Sequence, residues 1–339
     1  MSHSIGIDVS KATLQVYIPI KDENISIDNS VKAIRALYAK LKKYYKKEAK
    51  DIIFVFEPTG TYSSVLKHFC ADKGIPAFIV NPRQSAHFAK ALDNRSKSDI
   101  IDAVMLSKMA MMAEQGQIVV PIIDEVQETL REMLTLYKLL QKQRTALSNH
   151  LEALEAKKRI TVITKKVKKE ILHFKEQEAL LVDEMLALIH ADKKLSSDLK
   201  NITSFVGIGN LAGIALLHLF ISYPEANRQQ ISALSGLDPI ETTSGTSLNR
   251  RSKISKRGNS IYRSILFMPV LVSTRLNPHM KAFYDRLKAN NKHSTVAHIA
   301  VMRKMILITH SLYKNNQPFD SELYEKRVAW HQETSSNIT

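Results

Sequence analysis

Hydrophobic and polar positions in the first third of the chain alternate between short apolar runs and helical stretches. The stretch Ile5-Gly6-Ile7-Asp8-Val9, continuing to Val16, predicts a first strand, and a second candidate lies near Ile25 and Ile27. Apolar residues on both sides of Asp8 place that strand in the middle of a sheet, covered on both faces. A helix is expected over 30–45. Asp51-Ile52-Ile53-Phe54-Val55-Phe56-Glu57 is a further β run that ends in an acid. Turn residues Pro58-Thr59-Gly60-Thr61-Tyr62 then lead into a helix to about residue 73. A strand over 75–80 follows, Asn81-Pro82 opens a helix over 83–92, and another helix runs from Asp99 to about residue 114. Strands alternating with helices predict an α/β domain.

From about residue 125 the period changes. Leu130, Met133, Tyr137, Leu140, Arg144, Leu147, Leu151 and Leu154 step by threes and fours, a coiled-coil seam in which Arg144 is the exception. A second seam runs Val167, Ile171, Phe174, Glu178, Leu181, Met185, Leu188, Asp192, Leu195, Leu199, with Glu178 and Asp192 as its exceptions. Lys157-Lys158-Arg159 and Lys165-Lys166-Val167-Lys168-Lys169 lie between, so the stretch predicts a long helical hairpin with a basic tip. Such a hairpin packs against a second copy or only on itself; self-association is the favoured reading, and nucleic-acid contact by the tip is a further guess.

The last third reads as mainly helical. Phe205-Val206-Gly207-Ile208-Gly209-Asn210-Leu211-Ala212 looks like the turn of a helix-hairpin-helix, whose glycines let backbone N–H groups meet a phosphate. An ordinary glycine turn explains it equally well. Leu234-Ser235-Gly236-Leu237-Asp238-Pro239 leads into a polar, small-residue loop over 241–247. Arg250, Arg251, Lys253, Lys256 and Arg257 follow as the densest basic cluster of the region, suited to phosphate contact, with a flexible basic surface loop as the plain alternative. An apolar helix bent at Met268-Pro269 and an amphipathic helix over 295–313 complete the region. The expected divisions are 1–122, 123–200, 201–328 and a tail over 329–339.

Composition narrows the function. With 339 residues, 44% of them hydrophobic and 24% charged, the chain can bury at least one sizeable core. Lys and Arg number 49 against 33 Asp and Glu, a net charge of +16 that points to a polyanionic partner, most often nucleic acid. Cys70 is the only cysteine, which excludes an intrachain disulfide and a thiolate metal cluster and fits a reducing cytoplasm. No signal peptide is evident, and the longest apolar run, 211–221, is too short to span a bilayer. The expected location is cytoplasmic, with the nucleoid, and no membrane partner is expected.

Asp8 in an apolar strand is costly unless it is paired, protonated or bound to a cation. Glu57 closes another strand, and Asp99 and Asp102, three apart on a helix, share a face. Singly, Asp99 is a helix N-terminal acid and Asp102 a surface acid. Together the four read as ligands for hard divalent cations, Mg2+ or Mn2+, of the kind that assist phosphoryl transfer.

These residues carry a family resemblance. Gly6-Ile7-Asp8-Val9-Ser10-Lys11, Glu57-Pro58-Thr59-Gly60-Thr61-Tyr62, Asn81-Pro82 and Lys97-Ser98-Asp99-Ile100-Ile101-Asp102-Ala103 resemble the successive motifs of the DEDD transposases, whose relatives include the Piv-type DNA invertases. The resemblance implies a ribonuclease-H-like (RuvC-like) α/β N-terminal domain with Asp8, Glu57, Asp99 and Asp102 as metal ligands. It further implies a coiled-coil hairpin and a mainly α C-terminal domain with a helix-hairpin-helix-like segment. A nucleophilic serine is implied in the loop after the Gly-Leu-x-Pro motif; that is Ser244, with Ser247 the nearest competitor. Donor and target double-stranded DNA, a structured guide RNA encoded by the element, and a dimer or tetramer are the implied partners. Serine of one region and acids of the other would then act on one phosphodiester. Three other classes stay open on the residues alone. One is a junction endonuclease using water. Another is an actin-like ATPase or sugar kinase, which also begins Gly-Ile-Asp-x-Ser but with a Thr/Gly phosphate loop where this chain has Ser10-Lys11-Ala12. The third is a non-catalytic nucleic-acid scaffold.

Overall fold

The computed structural model describes residues 2–91, 99–114, 116–157, 162–244 and 248–326, with backbone alone over 241–252. Two compact units divide between Asp124 and Glu125.

The first unit is built on strands β1 (His3–Val9), β2 (Thr13–Ile18), β3 (Glu23–Asp28), β4 (Ile52–Phe56), β5 (Ala77–Ile79) and β6 (Ile118–Val119), with helices α1 (Val31–Tyr45), α2 (Ser64–Lys73), α3 (Pro82–Ala91) and α4 (Asp99–Met109). The sheet order is β3-β2-β1-β4-β5-β6, so the strand of Asp8 is central, as its apolar flanks predict. β1, β4 and β5 are mutually parallel, while β2, β3 and β6 run antiparallel to their neighbours. This mixed α/β arrangement is compatible with a ribonuclease-H-like fold.

The apolar stretch from Ile5 to Val16 is two strands rather than one. Ser10 ends the first: its Oγ donates to the carbonyl of Thr13 at 2.8 Å and accepts from the Thr13 N–H at 3.1 Å, closing a turn over Lys11 and Ala12. A run with apolar residues on both arms of a short turn looks continuous, which is why periodicity hides the hairpin. β6 is a two-residue edge strand, too short to leave a periodic signal.

Each strand then splits its side chains between two layers. Ile5, Ile7 and Val9 join Ile52, Phe54 and Phe56 under Ile34, Leu37 and Leu41 of α1 and Leu66 and Phe69 of α2. Ile53 and Val55 turn to the other face, under Leu106 and Met109 of α4. Ser30, whose Oγ accepts from the Ala33 N–H, starts α1 where a capping residue is expected.

The second unit comprises α5 (Glu125–Ala156), α6 (Val162–His190), α7 (Lys193–Thr203), α8 (Asn210–Ser222), α9 (Arg228–Leu234), strands β7 (Pro239–Ser244) and β8 (Leu248–Ile254), α10 (Ser260–Leu276), α11 (Pro278–Ala289) and α12 (Ser294–Asn315). The apolar run over 211–221 is α8, buried from Ala212 to Phe220 at the centre of this core. No described helix is long and apolar enough to cross a membrane. Leu130 and Leu134 of α5 and Leu181, Met185 and Ile189 of α6 belong to the same core, so the base of the hairpin is continuous with the C-terminal helices. The tip residues 158–161 and the tail over 329–339 lie outside the described residues.

Both exceptions in the middle of the seams have one explanation. Arg144 Nε donates to Glu178 Oε1 at 2.7 Å, and the glutamate side chain is 10% exposed. One charge on each helix at matching height sets the register of α5 against α6, a role attested for polar residues in otherwise apolar seams. The third exception, Asp192, marks the end of the seam: its carboxylate accepts from the N–H groups of Lys194 and Leu195 and starts α7.

A lone buried charge costs more than a buried pair. Glu178→Leu is therefore expected to destabilise the second unit by about 1–3 kcal/mol, and Arg144→Leu combined with Glu178→Leu to recover most of the loss. Urea unfolding followed by circular dichroism reads both; a double variant no better than the sum of its parts contradicts the register role.

Candidate active site

The site begins with small residues. Ser4, Gly6 and Asp8 occupy alternate positions of β1 and face α4. Ser107 Oγ of α4 donates to the Ser4 carbonyl at 2.7 Å, and the two hydroxyls lie 3.3 Å apart. One step along, a side chain at Gly6 would collide with the carbonyl oxygen of Ala103 and the backbone nitrogen of Ser107. Two residues of strand advance about 6.6 Å and four residues of helix about 6 Å. The ladder Ser4–Ser107, Gly6–Ala103 therefore continues to Asp8 beside the first turn of α4, where Asp99 and Asp102 stand.

The electrostatics agree with that ladder. Desolvation by burial, then the charges of Asp102, Asp99 and Glu57, push the Asp8 carboxyl up to about 6, against an ordinary value near 3.8. Three acids thus act on Asp8, and no described cation offsets them there. Asp102 is half-buried beside buried Ala103, Asp99 is exposed, and Glu57 lies half-buried just past β4.

One asparagine braces the loops that follow Asp8 and Glu57. Asn29 Nδ2 donates to the carbonyls of Ser10, at 3.0 Å, and Tyr62, at 2.9 Å, and its backbone N–H donates to Ala12. Gly6 and Asn29 were not candidates on sequence grounds. The spacing of small residues, Ser4 and Gly6 on the strand against Ala103 and Ser107 on the helix, is the signal that finds the first; nothing local distinguishes the second.

Among the described residues no group of three or more His, Cys, Asp or Glu side chains is arranged as a ready metal cage. The donor set nevertheless fits a hard divalent ion: all-oxygen, like-charged, and partly desolvated at Asp8.

The serine candidate sits at the end of β7, where Ser244 pairs with Leu248 of β8. Residues 241–244 of the polar stretch belong to strand β7 and not to a loop, in keeping with the extended preference of Thr242 and Thr243. Ser247 lies outside the described residues, and the side chains of Ser244, Arg250 and Arg251 are not described. Lys253, Lys256 and Arg257 are exposed.

The root of this hairpin is tightly determined. Gly236 has φ +66°, and a side chain at Gly258 would collide with the Leu234 carbonyl and the Gly236 nitrogen. Arg263 Nη1 donates to the carbonyls of Ser235, at 2.7 Å, and Gly258, at 3.0 Å, and Arg303 Nε donates to Leu237 at 2.8 Å. The Gly-Leu-x-Pro motif is thereby explained as an anchor. Gly207, at φ +107°, is likewise accounted for by packing: its turn lies against Ser273, whose Oγ donates to the Val206 carbonyl at 3.2 Å.

With this geometry in place, comparison with known proteins is decisive. A DEDD transposase model of the IS110 type matches residues 5–154, and the "Transposase IS116/IS110/IS902 family" model matches residues 199–285. The chain belongs to the IS110-family transposases and Piv-type recombinases. Pilin gene-inverting proteins of Moraxella bovis and Moraxella lacunata are each 25% identical to it over 329 residues, covering 95% of this chain and 98% of theirs. It is accordingly a DNA transposase or recombinase, an enzyme with DNA as its substrate. Transposases of this family usually use a divalent metal.

The sign of the Asp8 shift yields an expectation. Its folded value exceeds the unfolded one, so stability is lost as pH rises from about 4 through about 6. In EDTA at pH 8, Asp8→Asn is expected to stabilise the protein by about 1–2 kcal/mol, the partial exposure of Asp8 weakening the repulsion. The gain should vanish near pH 4. A thermal melt in which Asp8→Asn is no more stable than wild type at pH 8 contradicts the like-charge cluster.

Proposed function

We propose that this IS110-family recombinase cuts and rejoins DNA by serine attack on a phosphodiester. Asp8, Glu57, Asp99 and Asp102 hold Mg2+ or Mn2+, and Ser244 is the nucleophile. The single observation that carries the reading is the convergence of three acids on Asp8 under α4. Such a cluster is unfavourable without a cation, and a bound divalent ion supplies Lewis-acid polarisation of the phosphate oxygens.

Ser244 Oγ forms a bond to phosphorus as the bond from phosphorus to one deoxyribose oxygen breaks. The serine proton goes to that departing oxygen or to solvent. The phosphoserine-linked end is then displaced by a hydroxyl of a second strand, which restores the serine. A serine hydroxyl is weak unless activated, so the acids and the serine act on the same phosphate. The rooting of the β7–β8 hairpin by Gly236, Gly258 and Arg263 supports a serine held in a defined place.

Site choice is assigned to a structured RNA encoded by the element, which the +16 net charge favours. Self-association falls to the α5–α6 hairpin, which exposes Leu136, Leu139, Leu172 and Leu180 beyond its own seam. Inversion of a DNA segment, in place of transposition, is favoured by the pilin gene-inverting relatives and uses the same chemistry.

The test is covalent trapping on a nicked or strained DNA substrate with Mg2+. Wild type is expected to give a protein–DNA adduct that is absent from Ser244→Ala, while Ser247→Ala retains it. Asp8→Asn should reduce adduct formation by about 100-fold or more. Cleavage by Ser244→Ala at the wild-type rate would instead establish water as the nucleophile, as in a junction endonuclease.

A further inference from the structure

We infer that the outer face of α1 is a second nucleic-acid-binding surface, on the opposite side of the sheet from Asp8. It stands apart from the four acids.

α1 contains no acidic residue in its 15 positions. Its buried side is Ile34, Leu37, Leu41 and Tyr45, packed on the face of the sheet away from α4. Lys32, Arg35, Ala36, Ala39 and Lys43 fall on the reverse side at helical spacing, all exposed. Lys32, Arg35 and Lys43 make no ion pair among the described residues. Lys32 to Lys43 spans about 16 Å of helix, the length of about five base-pair steps. Ala36 and Ala39 leave the middle of the stripe low, so a phosphate chain can approach between the cations.

The surroundings extend the field. Exposed Lys46 and Lys47 follow the helix. Lys42 lies 4.5 Å from the centre of the Tyr38 ring, which leaves its charge unneutralised. Two of the nearby acids are already engaged, Glu23 accepting from Lys40 at 2.7 Å and Glu48 bonding His3 at 2.8 Å, while exposed Asp28 precedes the helix. A lipid surface is the poorer fit, because the apolar side of α1 is consumed by the core and, Val31 at its first position aside, the exposed residues of the helix are small or charged. A regular row of unpaired cations with small residues between them matches a phosphate backbone, read without base specificity.

The experiment uses the full-length protein in EDTA, which prevents cleavage, with a duplex DNA and a stem-loop RNA as probes. Lys32→Ala combined with Arg35→Ala and Lys43→Ala keeps strong helix formers at exposed sites, so the melting temperature should not change. The variant is expected to bind at least one probe about 10- to 100-fold more weakly, with the slope of log K against log salt reduced by about 3. Loss confined to the duplex identifies DNA as the occupant, and loss confined to the stem-loop identifies RNA. A second measurement labels Ala36→Cys with a photoactivatable maleimide; native Cys70 does not interfere, being fully buried with its thiol pushed up to about 12. Irradiation should crosslink the protein to the same probe. Unchanged affinity and slope for both probes, or no crosslink to either, overturns the inference.

Discussion

The structure around the acids depends on one close approach, the seating of α4 on β1 at Gly6. Only a residue without a side chain lets the Ala103 carbonyl lie against the strand. Because two strand residues and four helix residues advance by nearly equal lengths, that contact carries a register with it. Ser4 meets Ser107, Gly6 meets Ala103, and Asp8 comes under the charges of Asp99 and Asp102. The sheet supplies the rest, since β4 lies parallel beside β1 and ends one residue before Glu57.

The like charges around Asp8 are only partly compensated within the protein. Burial and three like charges raise the Asp8 carboxyl, and the opposing hydrogen bond from the Val9 backbone still leaves it raised to about 6. Local instability of this kind persists where it serves chemistry, and under the proposed function a cation's arrival would relieve it. The serine hairpin shows the opposite strategy. Its root is held by a glycine pair and two arginines that donate to backbone carbonyls, a framework that fixes the hairpin without adding charge to Ser244, the proposed nucleophile.

The four acids were legible in the sequence because each breaks a pattern: Asp8 interrupts an apolar strand, Glu57 ends one, and Asp99 and Asp102 share a helical face. The centrality of β1 followed from its flanks. Contacts that run between elements were not legible. Arg144 and Glu178 each stood out as an exception, yet their pairing depends on the height at which two helices meet. Gly6 looks like any strand glycine until α4 lies on it, and Asn29 acts through carbonyls distant in sequence. The turn at Ser10 escaped notice because apolar residues flank it on both arms. The serine strand was masked by its polarity, which suits a two-stranded hairpin as well as a loop.

Under the proposed function, Asp8, Glu57, Asp99 and Asp102 together hold a divalent cation. Anomalous diffraction from crystals grown with Mn2+ tests it most directly. A peak within direct ligand distance of the Asp8 carboxylate, and lost in Asp8→Asn, is the predicted result. A fully occupied Mn2+ peak elsewhere with none at Asp8 would contradict it.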